Sequence, residues 1–170
     1  MKHMLKKRSR RADMKNHTRF RTIISKYLFK VAEATIEEIA RKTPLEIQER
    51  AVCAVTPAEK NKEELSWSFY VVCSPPFGSG IRHFTQFQFE AKPNSTDLRD
   101  YNTYVNCDCG NYRWGGPGYN AHKGGYLLRF SPWATIPPNV RDPKRKHNIC
   151  KHILACIDYI KARGLEIEGT

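Results

Sequence analysis

The sequence predicts an α+β fold with an N-terminal helix, a small antiparallel β-meander, a long metal-clamped loop and a C-terminal helix. Three observations support this prediction. Apolar residues recur at helical spacing near the start, short aromatic and β-branched runs occupy the middle, and helical spacing returns near the end. The length of 170 residues fits one domain with an appended arm. We expect a basic arm over residues 1–17 and a single domain over residues 18–170.

The first segment is strongly basic. Residues 1–26 contain ten Lys and Arg and only Asp13 as an acid, so they carry +9 of the net charge of +12 and the rest of the chain carries +3. A segment with so few apolar residues cannot offset its chain entropy by burial. We expect either a solvated tail or an arm that contacts an acidic partner. The basic residues concerned are Lys6, Lys7, Arg8, Arg10 and Arg11.

The first helix is predicted from about residue 18 to about residue 42. Thr18 is a candidate N-cap, and the apolar residues that follow share one helical face, which we interpret as core packing. Thr43-Pro44 ends the helix, because the residue before a proline avoids the helical backbone conformation.

The middle of the chain is predicted to be a β-meander. Its runs are rich in aromatic and β-branched residues, and the short connections between them indicate antiparallel pairing. Cys53 and Cys73 lie in two of these apolar runs, so we interpret both as buried free thiols. The predicted strands occupy residues 50–55, 66–73, 82–91 and 101–107.

A long segment rich in glycine and proline follows, over residues 110–148, and little regular structure is expected in it. A loop of this length is unusual inside a compact domain unless something organises it. The segment nevertheless contains large aromatic residues, which indicate order, so its two ends need a structural tie. A final helix is then predicted from the helical spacing of apolar residues after Ile149, with Gly164 as its stop signal.

Two pairs of metal-ligand residues flank this segment. Cys107 and Cys109 follow the last predicted strand, and Cys150 and His152 begin the last helix. Three thiolates and one imidazole suit a tetrahedral zinc site that leaves no position open for a catalytic water. We therefore expect one structural Zn²⁺ that ties the ends of the segment together. Three nearby residues remain alternative ligands: Cys156, His147 and His122.

The C-x-C…C-x-H pattern of Cys107, Cys109, Cys150 and His152 resembles the SWIM-type zinc finger. The resemblance covers residues 101–162, and forty residues separate the two pairs, more than in most such fingers. The longer pattern, "CDCGNYRW" followed by a Gly/Pro/basic loop and "ICKHIL", is similar to SWIM-like virion proteins of tailed bacteriophages. This resemblance implies a virion component of the tail, neck or baseplate region, made in the host cytoplasm, with neighbouring virion proteins as partners.

No motif of an enzyme is present. The sequence lacks a phosphate-binding loop, a zinc-protease helix and a nucleophile elbow, so we expect no catalytic residue and no small-molecule substrate. No apolar run approaches the roughly 18 residues of a membrane span, and no apolar segment follows the basic start as in a secretory signal. We expect a soluble protein from a reducing compartment, without a membrane partner.

Two functional hypotheses follow from these features. The first is a non-enzymatic structural protein in a larger assembly, whose zinc holds the aromatic segment and whose basic arm contacts neighbouring subunits. The alternative is a zinc-containing nucleic-acid-binding module that uses the basic arm and a second basic cluster within residues 141–151. The residues of that second cluster are Arg141, Lys144, Arg145 and Lys146.

Overall fold

The fold was obtained as a computed structural model, which describes residues 34–95 and 97–163. These residues form an α+β fold with a four-stranded antiparallel sheet, as the sequence predicts. The helices are α1 (Ile36–Arg41), α2 (Leu45–Gln48), α3 (Gly110–Trp114), α4 (Pro117–Gly124) and α5 (Lys151–Arg163). The strands are β1 (Ala54–Asn61), β2 (Ser66–Val72), β3 (Arg82–Glu90) and β4 (Asn102–Cys107), and two 3₁₀ turns cover Leu98–Asp100 and Pro132–Thr135.

The first described helix starts later than the predicted one. Residues 18–33 of the predicted helix lie outside the described residues, as does the basic arm. The prediction of one helix continuing to residue 42 is wrong at Thr35, whose extended backbone makes it the N-cap of α1. The Thr35 N–H donates to the Glu38 carboxylate at 3.2 Å, and the Glu38 N–H donates to the Thr35 hydroxyl at 3.3 Å. This capping box starts a new helix, which ends at Arg41, close to the predicted stop.

The sheet is a meander, because its strand order follows the chain and every neighbouring pair is antiparallel. Three predicted strands are confirmed to within a residue. The prediction of a strand over residues 50–55 is wrong, since β1 covers Ala54–Asn61. The sequence of β1 is polar and contains Pro57, so it has a weak strand signal by itself. The strand β1 forms because it pairs with β2. A register shift between Pro57 and Glu59 accommodates the proline in this edge strand.

Cys53 and Cys73 form a disulfide, which corrects the prediction of two buried free thiols. Ala54 pairs with Val72 across β1 and β2, so the cysteines follow as the next facing positions. Cys53 precedes β1 and Cys73 follows β2, and only the antiparallel register brings the two together. The bond therefore closes the open end of the first hairpin.

The core lies between one face of the sheet and α5. Alternate residues of the strands point to this face, because side chains of a strand alternate between its two sides. Phe69, Phe87 and Val105 are buried there, and Phe69 meets Tyr159 of α5 edge to face with ring centroids 5.8 Å apart. The buried face of α5 continues with apolar residues of helical spacing, including Ile153, Ile157 and Ile160.

The segment between the ligand pairs contains more regular structure than expected. The prediction of a mostly irregular loop is wrong for α3 and α4, which are too short for a clear periodicity. Pro117 occupies the first turn of α4, and Gly125 ends it with a left-handed φ of 78°. The chain then pairs with the outer edge of β4, where the Val105 N–H donates to the Tyr126 carbonyl at 2.9 Å. This pairing covers a sheet edge that is otherwise open.

No helix within residues 34–95 and 97–163 is long and apolar enough to cross a membrane.

Candidate metal centre

Four side chains meet where the sheet, α3 and α5 converge. Cys107 is the last residue of β4, and Cys109 is the N-cap of α3. Cys150 immediately precedes α5, and His152 lies in its first turn. The fold therefore brings together the two pairs that the sequence separates by forty residues.

The spacing of these side chains fits a metal ion. One potential ligand atom from each of the four lies within 4.8 Å of all the others. The Sγ of Cys107 and the Nδ1 of His152 are 3.9 Å apart. In a tetrahedral zinc site, bond lengths of about 2.3 Å to sulfur and 2.0 Å to nitrogen place neighbouring ligand atoms roughly 3.5–3.8 Å apart. Small side-chain movements therefore suffice to bind a cation.

All four side chains are enclosed by protein, with at most 5 % of each residue exposed. Burial raises the pKa of the Cys150 thiol, and the hydrogen bond with Cys109 raises the pKa of Cys107. Hydrogen bonds with Cys107 and then Cys150 hold the pKa of Cys109 well below its usual range. The three thiols thus differ in how readily they release their protons. A divalent cation would replace those protons and balance the buried negative charge.

Hydrogen bonds orient the sulfur atoms. Thr85 lies opposite Cys107 in the β3–β4 register and is fully buried, and its hydroxyl donates to the Cys107 Sγ at 3.7 Å. The backbone N–H of Tyr112 donates to the Cys109 Sγ at 3.2 Å, as a capping interaction at the start of α3. Such donors fix the direction of ligand lone pairs and stabilise thiolate charge.

A second histidine lies against the site. The rings of His83 and His152 have centroids 4.4 Å apart, and the His83 Nδ1 lies 3.0 Å from the Asp108 Oδ1. Asp108, between the two cysteine ligands, therefore holds the ring that packs on the fourth ligand.

The alternative ligands all lie outside the four-residue group. Cys156 is buried on α5, and burial raises the pKa of its thiol well above the usual range. The two ring nitrogens of His147 contact the Gly115 carbonyl at 3.2 Å and the Glu46 carboxylate at 2.8 Å. The ring of His122 packs edge to face against Phe130.

Asp142 organises the end of the long segment. It is 3 % exposed, and its carboxylate accepts hydrogen bonds from the backbone N–H groups of Lys146 and His147 at 2.8 and 3.0 Å. It also accepts one from the Asn120 side chain of α4 at 2.9 Å. This carboxylate joins α4 to the chain that leads into Cys150. Sequence reasoning missed it, although a single acid within a basic run is a signal that it has a specific partner.

The predicted partner-binding residues fall into two groups. Lys6, Lys7, Arg8, Arg10 and Arg11 lie outside the described residues. The second group is exposed around the buried Asp142, and it consists of Arg141, Lys144, Arg145 and Lys146. The structure does not bring this second group to the metal centre.

Comparisons with known protein families, with curated proteins and with solved structures return no match to this chain.

Proposed function

We propose that the chain is a non-enzymatic structural protein in which one Zn²⁺ organises a surface for contacts with neighbouring proteins. The observation that carries this proposal is the enclosed group of Cys107, Cys109, Cys150 and His152. Three thiolates and an imidazole are soft and borderline ligands, and this donor set favours zinc over magnesium or calcium. Catalytic zinc sites keep a position open for water, whereas this group is buried on all sides.

The role of the zinc is to hold the two ends of the segment that contains α3 and α4. Without the metal, Cys109 and Cys150 have no cross-link, and three thiols lose the cation that offsets their burial. Structural zinc in small fingers contributes on the order of 10–16 kcal/mol of apparent binding energy, so chelation should unfold at least residues 107–152.

The surface offered to neighbours is partly apolar. Trp114 is 54 % exposed, Phe130 is 62 % exposed, and Ile136 is also exposed. Exposed aromatic side chains are enriched where proteins meet, since they bury a large area at low entropic cost.

The ligand order and its strand–loop–helix setting support a SWIM-type zinc finger. The proposed setting is a tailed-phage virion, because the "CDCGNYRW…ICKHIL" pattern resembles SWIM-like virion proteins of tailed bacteriophages. The sequence also supports a nucleic-acid partner as an alternative, through the basic arm and the cluster around Asp142.

The zinc assignment is tested by metal analysis of purified protein. The wild type should contain one zinc per chain, and Cys107→Ser and Cys150→Ser should each lose it. Cys156→Ser is the matched control, because it removes an equally buried thiol outside the group and should retain the metal. A folded wild type without metal would refute the zinc, and equal loss in the control would refute the assignment of these four ligands. Mass spectrometry of purified particles separately tests the virion setting, which fails if the protein is absent from them.

A further inference from the structure

The segment between the two ligand pairs carries an unbalanced surface charge. Residues 110–149 contain seven basic residues and one acid, a net charge of +6. The acid is Asp142, which is buried with its carboxylate bonded inward. All seven basic residues are exposed, and we call the five around α4 and Asp142 the basic face: Lys123, Arg141, Lys144, Arg145 and Lys146; the other two are Arg113 and Arg129.

The basic face is not neutralised by nearby acids. Within residues 34–95 and 97–163, no salt bridge involves any of its five side chains, or Arg113 or Arg129. The ion pairs that do occur nearby use other groups, as between His147 and Glu46. The charge of the face is therefore available to a polyanion.

Contacts between elements gather this charge. Lys123 of α4 lies 5.7 Å and Arg145 lies 5.3 Å from the centre of the Tyr119 ring, so two cations from different elements share one aromatic side chain. Asn120 bonds to Asp142 at 2.9 Å, which keeps the residues around Asp142 against α4. These contacts place Lys123, Arg145 and the residues next to Asp142 on one surface.

Two exposed aromatic side chains accompany the cations. Trp114 follows Arg113, and Phe130 follows Arg129. Phe130 also packs on His122, next to Lys123. Cations track a phosphate backbone, and exposed aromatic rings offer stacking surfaces that only unpaired bases can use.

We propose that the basic face binds single-stranded nucleic acid, with the cations on phosphates and Trp114 or Phe130 stacked on bases. This deepens the nucleic-acid alternative given under the proposed function, by naming the surface and the single-stranded form of the ligand, and it rests on the proposed zinc-held fold. Charge complementarity selects a polyanion, and the exposed rings select a strand with accessible bases.

The test uses full-length, zinc-loaded protein and fluorescence anisotropy of a labelled oligothymidylate of about 16 nucleotides, which covers one typical site. Lys144→Ala/Lys146→Ala is compared with Arg41→Ala/Arg50→Ala. Both variants remove two exposed charges and leave the N-terminal arm intact. For single strands, each phosphate contact adds about 0.7 to the magnitude of the slope of log K against log salt concentration. The first variant should therefore lower the slope by roughly 1.4, and the control should leave it unchanged.

The stacking step has its own variant. Trp114→Ala should weaken binding by about fivefold or more, because a stacked base contributes at least that factor. Zinc content, measured on the same preparations, should stay at one per chain. Loss of zinc from wild type thus indicates failure of the proposed structural site, whereas absent binding by zinc-loaded protein indicates failure of this inference.

Four results would overturn the proposal. They are absent binding at low salt, equal losses in the two double variants, displacement of the oligonucleotide by polyglutamate at equal charge concentration, and tighter binding of a duplex of the same length. The third result would assign the face to acidic proteins, and the fourth would remove the role of the exposed rings.

Discussion

Replacing Asp142 by alanine removes a buried carboxylate that accepts three hydrogen bonds. Asn120 keeps a partner, because its amide also donates to the His147 carbonyl at 2.9 Å. The backbone N–H groups of Lys146 and His147 lose their acceptor, and an unpaired buried donor costs about 1–3 kcal/mol. Water reaches the exposed Lys146 more easily than His147. We therefore expect Asp142→Ala to destabilise the zinc-loaded protein by about 2–4 kcal/mol.

The measurement combines denaturant unfolding with amide hydrogen exchange. Exchange should accelerate first at residues 146 and 147, because the lost bonds act locally. Asp142→Asn is the matched control. Asparagine keeps the shape and one acceptor oxygen, but its NH₂ group faces the other donors. We therefore expect this variant to lose about 1–2 kcal/mol of unfolding free energy. A loss below about 1 kcal/mol for Asp142→Ala, with amide protection unchanged, would refute the role of Asp142.

Three further predictions concern other parts of the fold. Thr85→Val keeps the volume but removes the donor to the Cys107 sulfur, so zinc affinity should fall about 10–100-fold in a chelator competition; unchanged affinity would contradict the role of the hydroxyl. The double variant Cys53→Ala/Cys73→Ala should lose about 3 kcal/mol of unfolding free energy, since the bond closes a loop with a separation of 20 residues; equal stability under oxidising conditions would speak against the disulfide. Burial raises the pKa of Tyr104 to about 12, so its contribution to stability is complete below pH 10 and lost as the pH rises toward 12. Tyr104→Phe should flatten that alkaline decline in unfolding experiments, and parallel declines in variant and wild type would exclude this origin.

The features that sequence alone predicts are those with a local signal. Alternation in β3 and helical spacing in α5 each record which side chains meet the core, so both elements were predicted closely. The group of Cys107, Cys109, Cys150 and His152 is also predicted, because the type and spacing of these residues carry a chemical pattern, and the fold brings all four within reach of one metal ion.

The features that sequence alone could not predict depend on contacts between distant residues. The Cys53–Cys73 bond follows from the register of β1 and β2, and a single strand does not reveal its register. The contact of Thr85 with Cys107 depends on the pairing of β3 with β4, which the sequence around Thr85 does not reveal. The helices α3 and α4 are short, so tertiary contacts decide whether they form.

Cys107 belongs to the sheet, and Cys150 and His152 stand at the start of α5, whereas Cys109 caps α3 in the segment between the pairs. Polymer statistics then make that segment easy to lengthen: doubling a flexible loop costs only about 0.6 kcal/mol in closure entropy. The largely exposed stretch from Ile136 to Val140 is therefore a natural insertion site, whereas α3, which holds Cys109, and Asp142, which leads into Cys150, must stay in place. A foreign recognition loop inserted there should inherit the closure that we propose a metal ion provides.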